Sequence, residues 1–339
     1  MLRPRQIPHD LAEIHTLLRA HFADAVQDAA AIRVEGPIHV RRYSRIYRAH
    51  VAGLSTPLVV KCLLDPATGG PDANSARVQF EGLHRIHRAM ATSDRAYRVP
   101  VPYFLAERDG VVVAEWIDGQ PMTDLFLTGK LTVKEGRELL RRAAHWARCF
   151  FALRPLSPAP LDVSSLIEEI DRMQRTQLSN YRSARIAFAA LRDHAGAMSG
   201  INLERSWLHG DFKTDNLLVT GRSVVGIDVH AKYENAVLYD LVSFVNHLRL
   251  TLCDPRAWRW RPHREALVGE FLDAFDATYR EDFRFPYAWI ALFGMLGFWD
   301  EFLRRRQRGL RHLYLDACFR HTVRRMTREL GVAASGPVR

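Results

Sequence analysis

Two short segments carry the residues best suited to chemistry: residues 209–216, which read HGDFKTDN, and residues 227–228, which read ID. A carboxylate such as that of Asp211 can orient an attacking hydroxyl group and accept its proton. The side-chain oxygens of Asn216 and Asp228 are of the kind that Mg²⁺ prefers as ligands. A predicted hairpin of two short apolar strands would bring Asp228 back beside Asn216. A base next to a two-ligand metal site predicts phosphoryl transfer, which requires positioned charge and little covalent help from the protein.

The pattern H-G-D-x-x-x-x-N followed by I-D resembles the catalytic and metal-binding segments of the aminoglycoside phosphotransferase and choline kinase family, whose members are relatives of the protein kinases. Asp240, twelve residues after Asp228 in LYDLVSF, resembles the later aspartate of this family, which opens a helix beneath the catalytic loop. The resemblance implies an α+β, bilobal protein-kinase-like fold that uses ATP and Mg²⁺. It also implies Asp211 as the catalytic base, and Asn216 and Asp228 as the metal ligands.

Lys213 lies two residues after the predicted base. Protein serine/threonine kinases carry a lysine there that faces the γ-phosphate, so the resemblance implies that Lys213 neutralises charge on the transferred group. The alternative is a solvated loop lysine. We predict that Asp211 and Lys213 are the catalytic residues.

The resemblance extends upstream to residues that would hold the nucleotide. Lys61, in the apolar strand LVVKCLL, resembles the lysine that contacts the α- and β-phosphates, and it is one of only five lysines in an arginine-rich chain. Glu81, in a predicted helix, would be its ion-pair partner. Glu115 and Ile117 lie in the segment that resembles the hinge, whose backbone groups bind adenine. No G-x-G-x-x-G covers the phosphates, so Ser44 and nearby backbone amides are predicted to do so.

The secondary-structure pattern predicts two lobes. Residues 1–116 are strand-rich with one internal helix near 75–90, and they form the nucleotide-binding lobe. Residues 117–339 are mostly helical and hold the catalytic loop and the acceptor site. Short β segments interrupt this lobe over 206–230. Helices are predicted near 10–30, 132–153, 164–198, 236–252, 263–278, 286–307 and 310–330.

The composition is that of an ordinary globular protein, with 47% hydrophobic and 25% charged residues. The N-terminus has no apolar h-region, and the longest apolar run, 287–299, is too short to span a bilayer. The four cysteines show no paired spacing, which favours reduced thiols and a cytoplasmic location. The net charge of +10 is compatible with peripheral contact with anionic surfaces. No base-reading motif accompanies it, so no nucleic-acid partner is expected.

Two other functions compete with a small-molecule kinase. A protein serine/threonine kinase is suggested by Lys213, but D-F-G and A-P-E motifs are missing and Asp240 leaves no room for a long activation segment. A non-catalytic nucleotide-binding pseudokinase or scaffold is favoured by the missing glycines. The retention of Lys61, Asp211, Asn216 and Asp228 together argues against it.

The acceptor is predicted to be a hydroxyl of a neutral or anionic small molecule or glycan. From residue 241 onward the chain has 17 Arg and no Lys against 11 Asp plus Glu. The stretch 258–264, WRWRPHR, alternates aromatic and guanidinium groups, which suits stacking on sugars and recognition of phosphate or carboxylate. The arginines at 304–306, 308 and 311 predict a basic helix face beside Leu310, Leu313 and Phe319. Solvated arginines far from the pocket are the alternative.

Overall fold

A computed structural model describes residues 10–23, 31–41, 43–91, 96–221, 223–231, 233–276, 283–305 and 309–335. The chain divides into two compact units. The first comprises Met1–Gly119 and Thr220–Lys232, and the second comprises Gln120–Val219 and Tyr233–Arg339. The sequence-based division at 116/117 stays a prediction. It did not include the return of residues 220–232 to the first unit, which puts Asp228 in the same unit as Lys61.

The first unit is built on an antiparallel five-stranded sheet in the order β1-β2-β3-β6-β5. Helix α1 (Leu11–His21) precedes it, and helix α2 (Ala73–Met90) follows β3. The strands are β1 (Ile32–Arg41), β2 (Ser44–Val51), β3 (Leu58–Leu63), β5 (Pro102–Ala106) and β6 (Val111–Glu115). A shorter strand, β4 (Tyr97–Arg98), pairs in parallel with β11 (Ser223–Gly226), which belongs to the returning segment.

Alternation along β6 assigns its side chains to the two faces of the sheet. Val111 and Val113 pack in the cluster that includes Ile14 and Leu18 of α1. Val112 packs with apolar residues that include Ala76 of α2. The sheet is therefore covered by a helix on each face. A hairpin joins β5 to β6, and Gly110 at its turn has the left-handed φ of 66° that favours glycine.

Helix α1 is shorter than predicted, because it ends at His21 instead of continuing to residue 30. His21 stacks on Phe104 of β5 with ring centroids 3.7 Å apart. This contact holds the end of the helix against the sheet, and Phe22 caps it through its backbone N–H. The predicted remainder, including residues 24–30, lies outside the described residues.

The second unit is mainly helical. Its helices are α3 (Met122–Leu127), α4 (Val133–Phe151), α5 (Val163–Gln174), α6 (Arg182–Asp193), α7 (Ala195–Met198), α8 (Val237–Thr251), α9 (Arg264–Phe275), α10 (Arg284–Arg304) and α11 (Leu310–Ala334). Its strands form two small antiparallel groups: β7 (Gln120–Pro121) with β10 (Leu217–Thr220), and β8 (Leu156–Pro160), β9 (Asn202–Trp207) and β12 (Glu234–Ala236). None of the helices in the described ranges is both long and apolar enough to cross a membrane.

The single helix predicted over 164–198 is wrong, because the chain forms three helices there. After α5 the side chain of Thr176 accepts a hydrogen bond from the N–H of Leu178 and starts a short 3-10 turn. Thr and Ser side chains compete for backbone groups in this way and so interrupt helices. The periodic apolar pattern on either side of this turn does not reveal it.

The aromatic and arginine stretch at 258–264 is mostly structural rather than open to a ligand. The ring of Trp260 is fully buried, and its Nε1 donates to the carbonyl of Phe126 at 3.0 Å. Arg259 donates to the carbonyl of Gly129, and Arg261 to the hydroxyl of Tyr314. Of the two tryptophans in the stretch, only Trp258 is exposed.

The basic helix face predicted near the C-terminus is largely neutralised. Arg304 pairs with Asp300, Arg305 with Glu301 and Arg311 with Asp254. Leu310 and Leu313 do not form the predicted apolar side, because both are exposed, whereas Phe319 is buried. Residues 306 and 308 lie outside the described residues.

Candidate active site

In the first unit, the central strand β3 places Lys61 between the buried residues Val60 and Cys62. The Nζ of Lys61 donates to Oδ1 of Asp228 at 2.7 Å, and the two side chains are only 16% and 26% exposed. Burial raises the pKa of Asp228, but the charge and hydrogen bond of Lys61, together with His230 and Arg41, lower it further, to about 2. Asp228 is therefore an ionised carboxylate. Its backbone has a positive φ of 56°, which is uncommon for a residue other than glycine.

The predicted ion pair between Lys61 and Glu81 is not formed. Glu81 lies on α2 with its side chain about half exposed, and its nearest cation is Arg77, 3.8 Å away. The preceding residue, Phe80, packs towards the sheet, so the next position along the helix is turned about 100° away. Asp228 supplies the carboxylate that Glu81 was expected to supply.

A contact that the sequence analysis missed joins α2 to the segment after Asp228. Gly82 is buried in α2, and a Cβ atom there would lie 2.2 Å from the carbonyl oxygen of His230. Arg85, one turn later, donates to the carbonyl of Ala231 at 3.5 Å. A glycine inside a helix costs about 1 kcal/mol relative to alanine, so its presence in VQFEGLHRI was a signal of close backbone approach.

Gly82→Ala is expected to displace the segment that carries Asp228, because a Cβ cannot come so close to a backbone oxygen. Overpacking of this kind costs about 1–3 kcal/mol of stability. We expect thermal unfolding at a lower temperature and about tenfold weaker binding of the Mg²⁺ complex of AMP-PNP in titration calorimetry. Gly331→Ala is the matched control, since it is also helical and a Cβ there meets nothing within 4 Å. Equal behaviour of the two variants would contradict the role of Gly82.

The residues of the predicted adenine-binding segment lie at the end of β6. The carboxylate of Glu115 accepts two hydrogen bonds from Arg98 and one from the N–H of Val101, so this side chain is structural. Ile117 is buried, and the N–H of Gly119 donates to its carbonyl at 3.0 Å. Its own backbone N–H makes no hydrogen bond within the described part of the chain. This N–H is therefore available to a nucleotide base.

Ser44, predicted to face the phosphates, is the first residue of β2 and lies beside the turn between β1 and β2. It pairs with Arg41 on one side and with Leu63 on the other. The residue is buried. Ser44 therefore lies at the end of a β-hairpin, paired with strands on both sides. Its contact with the phosphates stays a prediction.

In the second unit, the buried carboxylate of Asp240 holds the loop of residues 209–216, which the sequence analysis predicts to be the catalytic loop. It accepts hydrogen bonds from the backbone N–H groups of His209 at 2.5 Å and Gly210 at 3.3 Å. Burial raises the pKa of Asp240 to about 7, although these two hydrogen bonds lower it. Gly210 has a φ of 84°, which lets the chain turn sharply between the two residues on either side of it. Asp240 thus lies where the resemblance placed it.

The imidazole of His209 is fully buried among aromatic rings. It lies 5.9 Å from Trp146 and 5.7 Å from Phe212, measured between ring centroids. These rings pack around the side chain at the start of the loop, and the Asp240 carboxylate holds the loop backbone. His209 is therefore a buried packing residue at the start of this loop.

Asp211, Lys213 and Asn216 are in contact with one another. Lys213 Nζ lies 2.5 Å from Asp211 Oδ2, and Asn216 Nδ2 donates to the same oxygen at 3.0 Å and to the Asp211 carbonyl at 2.8 Å. Oδ1 of Asp211 has no hydrogen-bond partner in the described ranges, and the side chain is 44% exposed. Because the amide nitrogen of Asn216 is occupied, its oxygen is the atom that remains for a metal ion.

A second polar network beside the loop was also missed. Thr214 is buried, and its hydroxyl lies 2.6 Å from that of Thr123 and 2.8 Å from Nδ1 of His247. Nε2 of His247 lies 3.4 Å from Asp215 Oδ2. Burial raises the pKa of Asp215, but His247 lowers it more, to about 2. The available signal was helical spacing, since His247 follows Asp240 by seven residues and lies on the same face of α8.

The sequence and the fold were compared with known proteins. A model of the phosphotransferase enzyme family matches residues 47–293. No curated protein matches the chain. Among solved structures, a choline/ethanolamine kinase family protein from Mesorhizobium loti is 15% identical, with a TM-score of 0.58 over 96% of this chain and 99% of that one.

Two other solved structures have a similar fold. An amicoumacin kinase in complex with AMP-PNP, Ca²⁺ and Ami is 11% identical, with a TM-score of 0.60 over 96% of each chain. A glucosamine kinase is 16% identical, with a TM-score of 0.58 over 93% of this chain and 86% of that one. The predicted α+β, protein-kinase-like architecture is confirmed by these likenesses.

Proposed function

We propose, since the chain belongs to the phosphotransferase enzyme family, that it transfers the γ-phosphoryl group of ATP to a hydroxyl group of a small molecule in the presence of Mg²⁺. The observation that carries this proposal is the environment of Asp211. Its carboxylate is held on one oxygen by Lys213 and Asn216 and has the other oxygen open. A base in this state can accept a hydrogen bond from an acceptor hydroxyl.

The residues predicted to hold the nucleotide and the metal ion are chemically suited to them. Asp228 is ionised and uses only Oδ1 for Lys61, which leaves Oδ2 for Mg²⁺. Asn216 offers its amide oxygen. Lys61 is a compact, half-buried cation suited to the α- and β-phosphates. The bound Mg²⁺ would neutralise phosphate charge, and the N–H of Ile117 would bind the adenine.

The chain's own groups would then act as follows. Asp211 orients the acceptor hydroxyl and takes its proton as the oxygen attacks the γ-phosphorus. The bond between the γ-phosphorus and the bridging oxygen breaks, and ADP leaves with the electron pair. Lys213 moves its ammonium from Asp211 towards the transferred group, whose negative charge it stabilises. Asp240 keeps the loop backbone fixed throughout.

The acceptor in this proposal is neutral or anionic. Three carboxylates of the second unit already have partners: Asp215 lies beside His247, Asp300 pairs with Arg304, and Glu301 pairs with Arg305. A buried cation without a free carboxylate is costly. The glucosamine kinase acts, by its name, on a sugar-sized acceptor, although an amino sugar lies outside the neutral or anionic class proposed here. We also propose a cytoplasmic location, because the cytoplasm supplies ATP and Mg²⁺.

An assay of ADP release over a panel of alcohols tests the proposal. The panel should contain neutral sugars, sugar phosphates, uronic acids, amino sugars, choline-like amines and aminoglycosides, each with and without Mg²⁺. We expect Mg²⁺-dependent turnover on a neutral or anionic acceptor, with the product identified by mass spectrometry. Turnover confined to cationic amines would overturn the acceptor class. Nucleotide binding with no turnover on any acceptor would favour the non-catalytic alternative.

A further inference from the structure

The second unit contains a cavity of about 600 Å³ that the phosphotransfer chemistry does not use. Its walls come from helices α9, α10 and α11, and Arg249 of α8 also lines it. Part of the wall is apolar, with Leu272, Ala291 and Met326. The polar side chains on the wall are dominated by arginines.

Buried donors without partners line this cavity. Arg249 is only 4% exposed, and its Nη2 donates to Glu265 at 3.2 Å, but its Nε and Nη1 have no hydrogen-bond partner in the part of the chain that the structure describes. The buried hydroxyl of Tyr287, which lies next to the Arg249 guanidinium, and Nη2 of Arg325 also lack an acceptor there. Nη1 and Nε of Arg325 lie 2.6 Å from Glu265 and 3.2 Å from Glu329. Buried donors without acceptors are costly and rare in folded proteins. A ligand that satisfies them must present acceptor oxygens.

The charges on the wall indicate which oxyanion fits. Four arginines line the cavity with two glutamates, which leaves a surplus of two positive charges. The arginines are Arg249, Arg284, Arg325 and Arg328, and the glutamates are Glu265 and Glu329. Burial raises the pKa of Glu265, but Arg249 and Arg325 lower it more, so it counts as charged. A phosphate monoester carries a charge of about −1.5 to −2 at neutral pH, whereas a carboxylate carries only −1.

We propose that this cavity binds a phosphate monoester whose organic part is apolar. Arginine forks suit phosphate oxygens, which they bind through paired N–H groups. Arg249 and Arg325 would bind the phosphate with the Tyr287 hydroxyl, and the apolar wall would cover the organic part. This is a second ligand site, separate from the groups that carry out phosphoryl transfer.

Helix α8 lies between the catalytic loop and the cavity, and it contacts both of them. His247 points to the catalytic loop, where it contacts Thr214, and Arg249 lies about 200° further around the helix. Asp240, which holds the loop backbone, is nine residues before Arg249 and so also lies on the opposite face. A ligand on Arg249 therefore binds the back of the helix that positions the catalytic loop. Such a site is placed to regulate turnover through a shared rigid element.

Titration calorimetry on the full chain with hexyl phosphate tests the proposal. Inorganic phosphate and hexanoate are the comparison ligands, and AMP-PNP with Mg²⁺ is added in a parallel titration to fill the nucleotide site. We expect saturable binding of one hexyl phosphate per chain, unaffected by AMP-PNP, and about tenfold weaker binding of each comparison ligand. Saturable binding that AMP-PNP abolishes would overturn the proposal, as would equally tight binding of hexanoate or no binding of hexyl phosphate.

Variants place the ligand in the cavity. Arg249→Met should weaken hexyl phosphate about tenfold or more, because a charged hydrogen bond is lost. Arg328→Met, at an exposed position of the wall, should weaken the binding of hexyl phosphate several-fold. This variant tests the site even if Arg249→Met does not fold. Arg192→Met is the control, since this arginine of α6 pairs with Asp171 of α5 and does not line the cavity. Unchanged affinity in a folded Arg249→Met or in Arg328→Met would overturn the assignment.

Discussion

Replacement of Asp211 by asparagine is expected to lower kcat about 100-fold or more and to leave the affinity for ATP nearly unchanged. The carboxamide is close in shape to the carboxylate but cannot take the proton of the acceptor hydroxyl. The Asp211 side chain is 44% exposed and bonds only to neighbours in its own loop, so its loss should affect stability little. Steady-state kinetics on the acceptor found in the panel, with ATP binding by calorimetry, gives both quantities.

Two variants make this result specific. Asp171→Asn removes a carboxylate of similar exposure that pairs with Arg192 outside the loop, and it should keep full activity. Lys213→Met removes the cation from Asp211 and, in the proposed mechanism, should lower kcat without removing the base. If Asp211→Asn retained most of the turnover of the unaltered protein, the assignment of the base would be wrong.

The catalytic loop could be predicted because its chemistry is local in the sequence. Asp211, Lys213 and Asn216 lie within six residues of one another and end up in contact. Asp240 was identified by its resemblance to the later aspartate of the family. The two-lobed α+β architecture followed from the change from strand-like to helical periodicity, which is a property of long segments and is strongly encoded.

The partner of Lys61 could not be predicted from the same information. Glu81 lies twenty residues from Lys61, Asp228 lies 167 residues away, and either carboxylate could reach the ammonium. The choice depends on which face of α2 meets the sheet and on the return of residues 220–232 to the first unit. Gly82 makes that return possible by letting two backbones approach. Tertiary packing, rather than local pattern, decided the pair.

Surface charge was misjudged for a similar reason. The arginines at 304–306, 308 and 311 were predicted to form a basic helix face, but Arg304, Arg305 and Arg311 each have a carboxylate partner. Trp260 alternates with arginines in sequence yet is buried, because Gly136 of α4 leaves room for its ring. Net charge reports solubility and long-range attraction and does not locate a site. The arginine that matters in the second unit, Arg249, is buried, and its Nε and Nη1 have no hydrogen-bond partner among the described residues.

Asp228→Asn is expected to weaken ATP binding about tenfold to 100-fold in the presence of Mg²⁺, and not at all in its absence. Two roles of this carboxylate produce the contrast. With metal present, Asp228 links the protein to the metal–phosphate unit, and an amide is a poorer ligand. Without metal, Asp228 holds the Lys61 ammonium at 2.7 Å, so its neutralisation releases that cation to bind phosphate. Metal-free affinity should therefore stay equal or rise.

Lys61→Met is the comparison variant, because its loss of ATP affinity should not depend on Mg²⁺. It removes the cation that would contact the phosphates, so ATP should bind more weakly both with and without Mg²⁺. Each single variant leaves its partner half-buried and unpaired, which costs about 1–3 kcal/mol, so thermal unfolding must show that both proteins are folded under the assay conditions. Calorimetric titrations of ATP in excess Mg²⁺ and in excess chelator give the four affinities. If Asp228→Asn lost the same factor with and without metal, Asp228 would be a partner of Lys61 only, and its role as a metal ligand would be wrong.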